Sequence, residues 1–197
     1  MDTVYPSVIP AMWFAWLAYW MIAARDAKPT QRTESVASRA SHIIPLIVAG
    51  WLLSRSAAGG FLGQRIVPPG PAVHLIGALL VAAGLGFSVW ARVFLGRNWS
   101  GVVTLKRDHE LIRGGPYAFV RHPIYTGLLL AFVGSALARD EWRGVLAVAL
   151  VWVAFWRKLR IEENLMIEQF GDAYRRYQSE VPALIPKSFR RSGVPRA

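Results

Sequence analysis

Gly115-Pro116-Tyr117-Ala118-Phe119-Val120-Arg121-His122-Pro123-Ile124-Tyr125-Thr126-Gly127 is the stretch on which the reading of this chain turns. It joins a polar, basic segment to an apolar run. An arginine, a histidine, two tyrosines and two prolines crowd that one boundary. Its meaning depends on what lies to either side.

The chain has 197 residues, of which 54% are hydrophobic, with 9 Trp, no Cys and a net charge of +11. A helix needs about 20 apolar residues to cross a bilayer, and about 17 as a working minimum. Five segments approach that length: Val8 to Ala24, Ile43 to Ala58, Ala72 to Leu95, Ile124 to Ala138, and Val145 to Trp156 with its flanks. The first and third are long enough by themselves. The other three are short enough to be tilted, partly buried or paired as a hairpin. A soluble bundle seldom carries runs of this length and hydropathy. The first segment lacks a basic leader, and Ala23-Ala24-Arg25-Asp26 is a weak cleavage site, so it reads as a span rather than a signal peptide.

Charge then orients the spans. Arg25, Lys28, Arg32 and Arg39 fall between spans one and two, and Arg97, Lys106, Arg107, Arg113 and Arg121 between three and four. Nine more follow span five, so 18 of the 23 basic residues share one side. Arg55, Arg65, Arg139 and Arg143 lie on the other. The positive-inside rule predicts an external N-terminus and a cytoplasmic C-terminus. Topology thus accounts for a basicity that would otherwise point to nucleic acid, and no nucleic-acid partner is expected. Without cysteine there is no disulfide, thiolate ligand or cysteine nucleophile. None of His42, His74, His109 and His122 is paired at a ligand spacing such as His-x-x-x-His, so no metal is expected.

The sequence reads as one domain over 1–197: three N-terminal spans in 1–95, a second half in 96–187, and a basic tail in 188–197 suited to anionic membrane lipids. Lys28 to Ser41 reads as a polar loop, and Gly96 to Arg121 as the longest polar excursion, of a length usually tied to function. From Arg157 to about Ser179, Ile161, Leu165, Phe170, Tyr174 and Tyr177 recur at helical spacing among charges, predicting an amphipathic extension of span five. Val181-Pro182-Ala183-Leu184-Ile185-Pro186 reads as an extended, proline-set strip. Gly84-Leu85-Gly86 and Gly59-Gly60 read as close approaches between helices, and Thr126 and Ser135 as interhelical hydrogen-bonding residues.

Two motifs admit both a plain and a chemical reading. Arg121-His122-Pro123 fits an interfacial cap, with arginine reaching for phosphates and proline opening span four. It also fits an anion or cofactor site at a helix N-terminus. Glu162-Glu163 fits a solvated face pairing with Arg157, Lys158 or Arg160. Carboxylates within two turns of a span's end also commonly face a cavity, where they hold a cation or a hydroxyl.

Three groups of residues line up in order. The first is His109-Glu110-Leu111-Ile112-Arg113-Gly114-Gly115-Pro116-Tyr117 and the second Arg121-His122-Pro123-Ile124-Tyr125-Thr126-Gly127. The third is Glu162-Glu163 followed by Phe170-Gly171, Tyr174-x-x-Tyr177, Val181-Pro182 and Ile185-Pro186. This ordered set, from about Asn98 to Lys187, resembles the isoprenylcysteine carboxyl methyltransferases and the related membrane phospholipid methyltransferases. The resemblance implies an all-α integral membrane protein of about five transmembrane helices. The last two would form a hairpin, with a cytoplasmic C-terminal helix and cofactor pocket.

It also implies S-adenosylmethionine as methyl donor. Cofactor contacts would fall on His109, Glu110, Leu111, Ile112, Tyr117, His122, Pro123, Ile124, Tyr125 and Glu162, with one more near Thr104. Where the family has an arginine near the acceptor, one turn before the first glutamate, this chain has Lys158 between Arg157 and Arg160. A lysine keeps the charge but not the bidentate fork that suits a carboxylate.

The expectation is a methyltransferase acting on a lipophilic small molecule or lipid-linked group. O-methylation of a prenylcysteine-like or other lipophilic acid is favoured; phospholipid N-methylation and thiol S-methylation are alternatives. From other classes, an NADPH-dependent membrane reductase and a non-enzymatic membrane adaptor stand as rivals.

Overall fold

The structure is a computed structural model that describes residues 5–26, 30–33, 35–54, 60–68, 70–96, 104–106 and 111–186. Within them the chain runs α1 (Tyr5–Ala23), β1 (Thr30–Thr33), α2 (Val36–Ser54), α3 (Pro71–Leu95), β2 (Thr104–Lys106), α4 (Pro123–Arg139), α5 (Trp142–Phe170) and α6 (Asp172–Glu180).

Local chemistry explains most helix boundaries. Pro71 and Pro123 sit in the first turns of α3 and α4, where the missing N–H costs nothing. The expected third and fourth spans therefore match the observed helices to within a residue at each end. The second does not: α2 starts at Val36, seven residues before Ile43. Ser35 Oγ accepts the Ser38 amide at 3.2 Å, so a serine cap starts the helix inside the polar segment, where hydropathy gives no sign of it. The expected end near Ala58 lies outside the described residues, as does the whole basic tail at 188–197.

The all-α reading holds for the bundle, beside which β1 pairs antiparallel with β2 as a small ribbon, Thr33 opposite Thr104. These short segments carry no alternating pattern and meet across some seventy residues, so nothing local announces them. The continuous helix expected from Arg157 to Ser179 is broken at Gly171. Its φ of +53° takes a conformation glycine adopts without strain, and its N–H bonds Ile167 O to end α5 before α6 begins.

The bundle closes on a glycine seam between α3 and α4. A Cβ on Gly77 would lie 2.7 Å from Gly134 O and from Ala138 Cβ, and one on Gly134 would lie 2.6 Å from Gly77 O. Gly84 and Gly127 meet each other's carbonyls in the same way. Only hydrogen at these positions lets two backbones approach so closely. Gly86 faces open space, because two residues along a helix turn the side chain to the other face. Gly60 is a turn residue at φ +70° with nothing within 4 Å. The close approach expected of Gly84-Leu85-Gly86 therefore belongs to Gly84 alone, and Gly60 has no part in one.

Asp140, at φ 57°, caps α4 and turns the chain directly into α5, so the last two long helices form a hairpin. Val81, Leu85, Ala131, Phe132, Val151 and Phe155 form the centre of the core. From α1, Trp13 Nε1 donates to Ser135 Oγ at 3.0 Å and Trp16 Nε1 to Ser88 Oγ at 2.8 Å, so Ser135 does bond between helices.

The exterior is apolar where a soluble protein's would be polar. Phe14 is 71% exposed, Met21 68% and Ile47 66%. Val36–Ser54 and Pro71–Leu95 are long and apolar enough to cross a membrane, with only 17% and 28% of their apolar windows buried. Ser7–Ala23 and Pro123–Arg139 are shorter apolar helices. Core helices of a soluble protein would be mostly buried, so this surface is one made for lipid. At about 1.5 Å per residue, the 29 residues of α5 span roughly 43 Å, more than the apolar layer. Its charged half, from Arg157 on, therefore projects beyond the apolar half that begins at Trp142.

Candidate functional site

The charged half of α5 meets the start of α4 and the segment after α6. Val181 to Leu184 runs as a strap across Arg121 and His122. The Arg121 amide donates to Pro182 O at 2.9 Å and the His122 amide to Ala183 O at 3.0 Å. Thr126 Oγ1 donates to Leu184 O at 2.7 Å. Thr126, expected to bond between helices, thus ties α4 to the strap. The two amides just before α4 are occupied by the chain itself, and His122, although at the N-cap position, makes no side-chain cap bond.

Beneath the strap lies a charge cluster. Arg121 does not snorkel outward: its Nε donates to Glu163 Oε1 at 2.8 Å, its Nη2 stands 2.6 Å from the same oxygen, and its Nη1 reaches Gln178 O and Val181 O. Gln178 Nε2 donates to Glu163 Oε2 at 3.1 Å. His122 places Nε2 3.2 Å from Glu163 Oε1 and Nδ1 3.6 Å from Glu162 Oε2. Tyr125 Oη donates to Glu162 Oε1 at 2.5 Å. One imidazole thus bridges two carboxylates that neighbour each other on one helix.

The cluster fixes its own protonation. Burial opposes charge on His122, but the hydrogen bonds and negative charge of Glu162 and Glu163 outweigh it, and its pKa stands above the ordinary 6.5. Burial likewise disfavours the Glu163 carboxylate, yet His122 and Arg121 hold it down at about 2. Glu162 is lowered too: burial opposes its charge, but His122, Lys158 and Tyr125 prevail. Burial pushes the Tyr117 and Tyr174 phenols well up, and Tyr177 to about 12. Tyr177 Oη donates to Tyr117 O at 2.6 Å, fastening α6 to the Gly115–Ala118 turn.

Aromatic faces line one side. His122 and Tyr125 stack at 5.6 Å, and Tyr125 and Phe155 at 4.8 Å. Lys158 Nζ sits 5.6 Å above the Tyr125 ring. Its two basic neighbours turn elsewhere. Arg157 donates to Ser41 Oγ, clipping α5 to α2, and Arg160 lies 4.7 Å over Trp156 on the exterior.

The structure therefore brings Tyr117, His122, Pro123, Ile124, Tyr125, Lys158 and Glu162 to one end of the bundle, with Leu111 and Ile112 half-buried on the segment leading in. Thr104 lies on β2. His109 and Glu110 lie outside the described residues. Sequence reasoning passed over Arg121 as a working member, and with it Gln178, Tyr177 and Arg92. Buried Arg92 donates from Nη1 to Gly96 O at 2.7 Å and from Nη2 to Ala23 O, joining the ends of α3 and α1, and its charge reaches Tyr117. An arginine near the end of an apolar run was the available signal, since such a charge needs partners.

Two helix ends, a strap and a shielded carboxylate–imidazole pair at the edge of an apolar bundle define a membrane-helix protein with a polar site at one end. A family model described as phospholipid methyltransferase matches residues 72–173, slightly more than half of the chain, and the chain belongs to that family. Curated relatives include the protein-S-isoprenylcysteine O-methyltransferases of Schizosaccharomyces pombe (36% identical, covering 49% of this chain and 42% of the relative) and Saccharomyces cerevisiae (31%, covering 57% and 48%). The Arabidopsis thaliana protein-S-isoprenylcysteine O-methyltransferase B is 28% identical, with 64% of this chain and 68% of the relative covered. The chain spans less than half the length of the two yeast relatives. The fold is similar to a solved eukaryotic intramembrane Ras methyltransferase, isoprenylcysteine carboxyl methyltransferase, at a TM-score of 0.54 and 23% identity, covering 76% of this chain and 51% of that one. The resemblance drawn from the motifs therefore holds at the level of family.

Proposed function

We propose that this chain is an S-adenosylmethionine-dependent methyltransferase of the membrane, acting on a lipophilic small molecule or lipid-linked group. O-methylation of a prenylcysteine-like or other lipophilic carboxylate is the favoured reaction. The observation that carries this reading is the cluster of Glu162, His122 and Tyr125 with Lys158 at its edge.

The residues fit the donor chemically. The Tyr125 ring already takes a cation on its face in Lys158, and an aromatic face that accepts an ammonium suits another positive group. Glu162 keeps 26% of its side chain exposed, so an ionised acceptor remains open to hydroxyl or ammonium donors. His122, Pro123, Ile124, Tyr125 and Glu162 would hold the donor from the helix ends, and Tyr117, Leu111 and Ile112 from the incoming segment. Thr104, His109 and Glu110 would complete the set. When bound, the donor supplies a methyl group on a sulfonium centre.

Everything else asked of the chain is binding and placement. Lys158 draws an anionic acceptor toward the cluster and keeps its carboxylate ionised, as a point charge rather than a fork. The strap and the apolar bundle exclude water, which strengthens these interactions and aligns the partners. The positive side chains gathered at this end support a five-span arrangement with the N-terminus outside and the site in the cytoplasm.

Purified full-length protein titrated with S-adenosylhomocysteine should show saturable binding. Glu162→Ala and His122→Ala should each weaken it while the protein stays folded. Absence of binding in a folded sample sinks the proposal; NADPH binding in its place selects a reductase, and neither ligand binding selects an adaptor.

A further inference from the structure

Within the last turn of α6, neighbouring side chains reach in different directions. Tyr177 and Glu180 turn to the segment that leads into α4, and Gln178 turns to the charge cluster. Tyr177 is buried, and its Oη donates to Tyr117 O at 2.6 Å. The Arg113 guanidinium lies 5.1 Å from the centre of the same ring, and Arg113 Nη2 pairs with Glu180 Oε2. A cation over a tyrosine face is attracted by it, and here a carboxylate one turn along helps to hold it there. From the next position, Gln178 Nε2 donates to Glu163 Oε2 at 3.1 Å, and Gln178 O accepts from Arg121 Nη1 at 3.1 Å.

The pieces that α6 holds lie close to each other. Burial raises the Tyr117 phenol and the negative charge of Glu162 adds to that rise, so the ring stands near the carboxylate. From α3, Phe94 supports the same segment. A Cβ on Gly115 would lie 2.6 Å from its ring, so a glycine, at φ +56°, lets the backbone settle there. Tyr177 thus fixes the backbone of Tyr117, while Gln178 fixes Glu163 and, through it, the His122 that reaches Glu162. We propose that α6 is a clasp that holds the Tyr117 side of the donor site in register with the Glu162 side, with Tyr177 as its positioning residue. This role rests on the donor assignment made above. The Tyr177 hydroxyl is committed to a backbone carbonyl, so its part is placement rather than proton transfer.

Wild type and Tyr177→Phe, both full-length in neutral detergent, are compared by amide hydrogen exchange and by titration with S-adenosylhomocysteine. Phenylalanine keeps the ring beneath Arg113 and loses only the bond to Tyr117. The amides of Tyr117, Phe119 and Val120 close the turn onto Gly114 and Pro116, and their exchange should quicken. The Kd should rise about fivefold, the scale of one buried hydrogen bond. A part in stability alone would lower the unfolding midpoint and leave Kd as in wild type. Should Tyr177→Phe not fold, the exposed pair carries the same test. Arg113→Glu and Glu180→Arg should each weaken binding about threefold, and together recover most of that loss. Saturable binding by wild type with an unchanged Kd in Tyr177→Phe, or in both charge variants, overturns the clasp and spares the donor reading. No binding by folded wild type overturns the donor reading, and the role of the clasp with it.

Discussion

Replacing Glu163 by glutamine removes one negative charge from the centre of the cluster and keeps its shape. The side chains of Glu163 and Arg121 are each 10% exposed, so the substitution leaves a largely buried guanidinium with backbone carbonyls but no carboxylate to offset its charge. A carboxyl held at about 2 instead of the ordinary 4.5 stabilises the fold by about 3 kcal/mol, at 1.36 kcal/mol per pH unit. Removing one partner of a buried pair costs about 3–5 kcal/mol by independent measure, so the two figures agree. For a chain of this length that corresponds to a drop of about 6–12 °C in the unfolding midpoint. Because the folded pKa is depressed, the contribution is whole above pH 4.5 and disappears as pH falls through about 2. Thermal unfolding in detergent at pH 7, repeated with Arg121→Gln and the double variant, measures the loss and the coupling. A Glu163→Gln protein that melts within about 2 °C of wild type would refute the view that this pair fastens the helix ends together.

Three other outcomes are expected. Gly84→Ala should destabilise by about 1–3 kcal/mol because its methyl meets the backbone of α4, whereas Gly86→Ala, on the open face, should be neutral or stabilising by up to about 1 kcal/mol; matched melting curves would contradict the seam. Since the His122 pKa is raised, its contribution is whole below pH 6.5 and lost as pH rises through the folded value, so His122→Gln should flatten the decline in stability on the alkaline side, as unfolding curves from pH 6 to 9 will report. Lys158→Met should lower turnover of an anionic lipophilic acceptor at least tenfold while leaving S-adenosylhomocysteine affinity within twofold, and an equal loss of both would place Lys158 with the donor instead.

The parts of the fold governed by local chemistry were legible. Pro71 and Pro123 announced their helices, and long apolar runs announced α1 and α3. The motif residues around His122 and Glu162 stood out because charge at the edge of an apolar run needs a reason. Partnerships were not legible. Nothing in Glu162-Glu163 says that one carboxylate turns to Tyr125 while its neighbour takes Arg121 and Gln178, since adjacent helical residues point about 100° apart and their partners come from elsewhere in the chain. The ribbon of β1 and β2, the serine cap of α2 and the break at Gly171 escaped for the same reason: each depends on one hydrogen bond or one backbone angle rather than on hydropathy. Lys158 could not be separated from Arg157 and Arg160 by type, only by the face on which each lies.

The strap has a consequence for the order in which the protein becomes competent. Residues 182 to 184 complete the backbone around Arg121 and His122, yet a ribosome delivers them some sixty residues later. Throughout that interval the helices can enter the bilayer and pair, but the cluster lacks its cover and half of its bonds to Arg121. The backbone bonds over Arg121 and His122 therefore form only after the helices that carry the cluster have been made. A stop codon or an inserted tag just before residue 181 would leave the cluster of His122, Glu162 and Glu163 in place but uncovered.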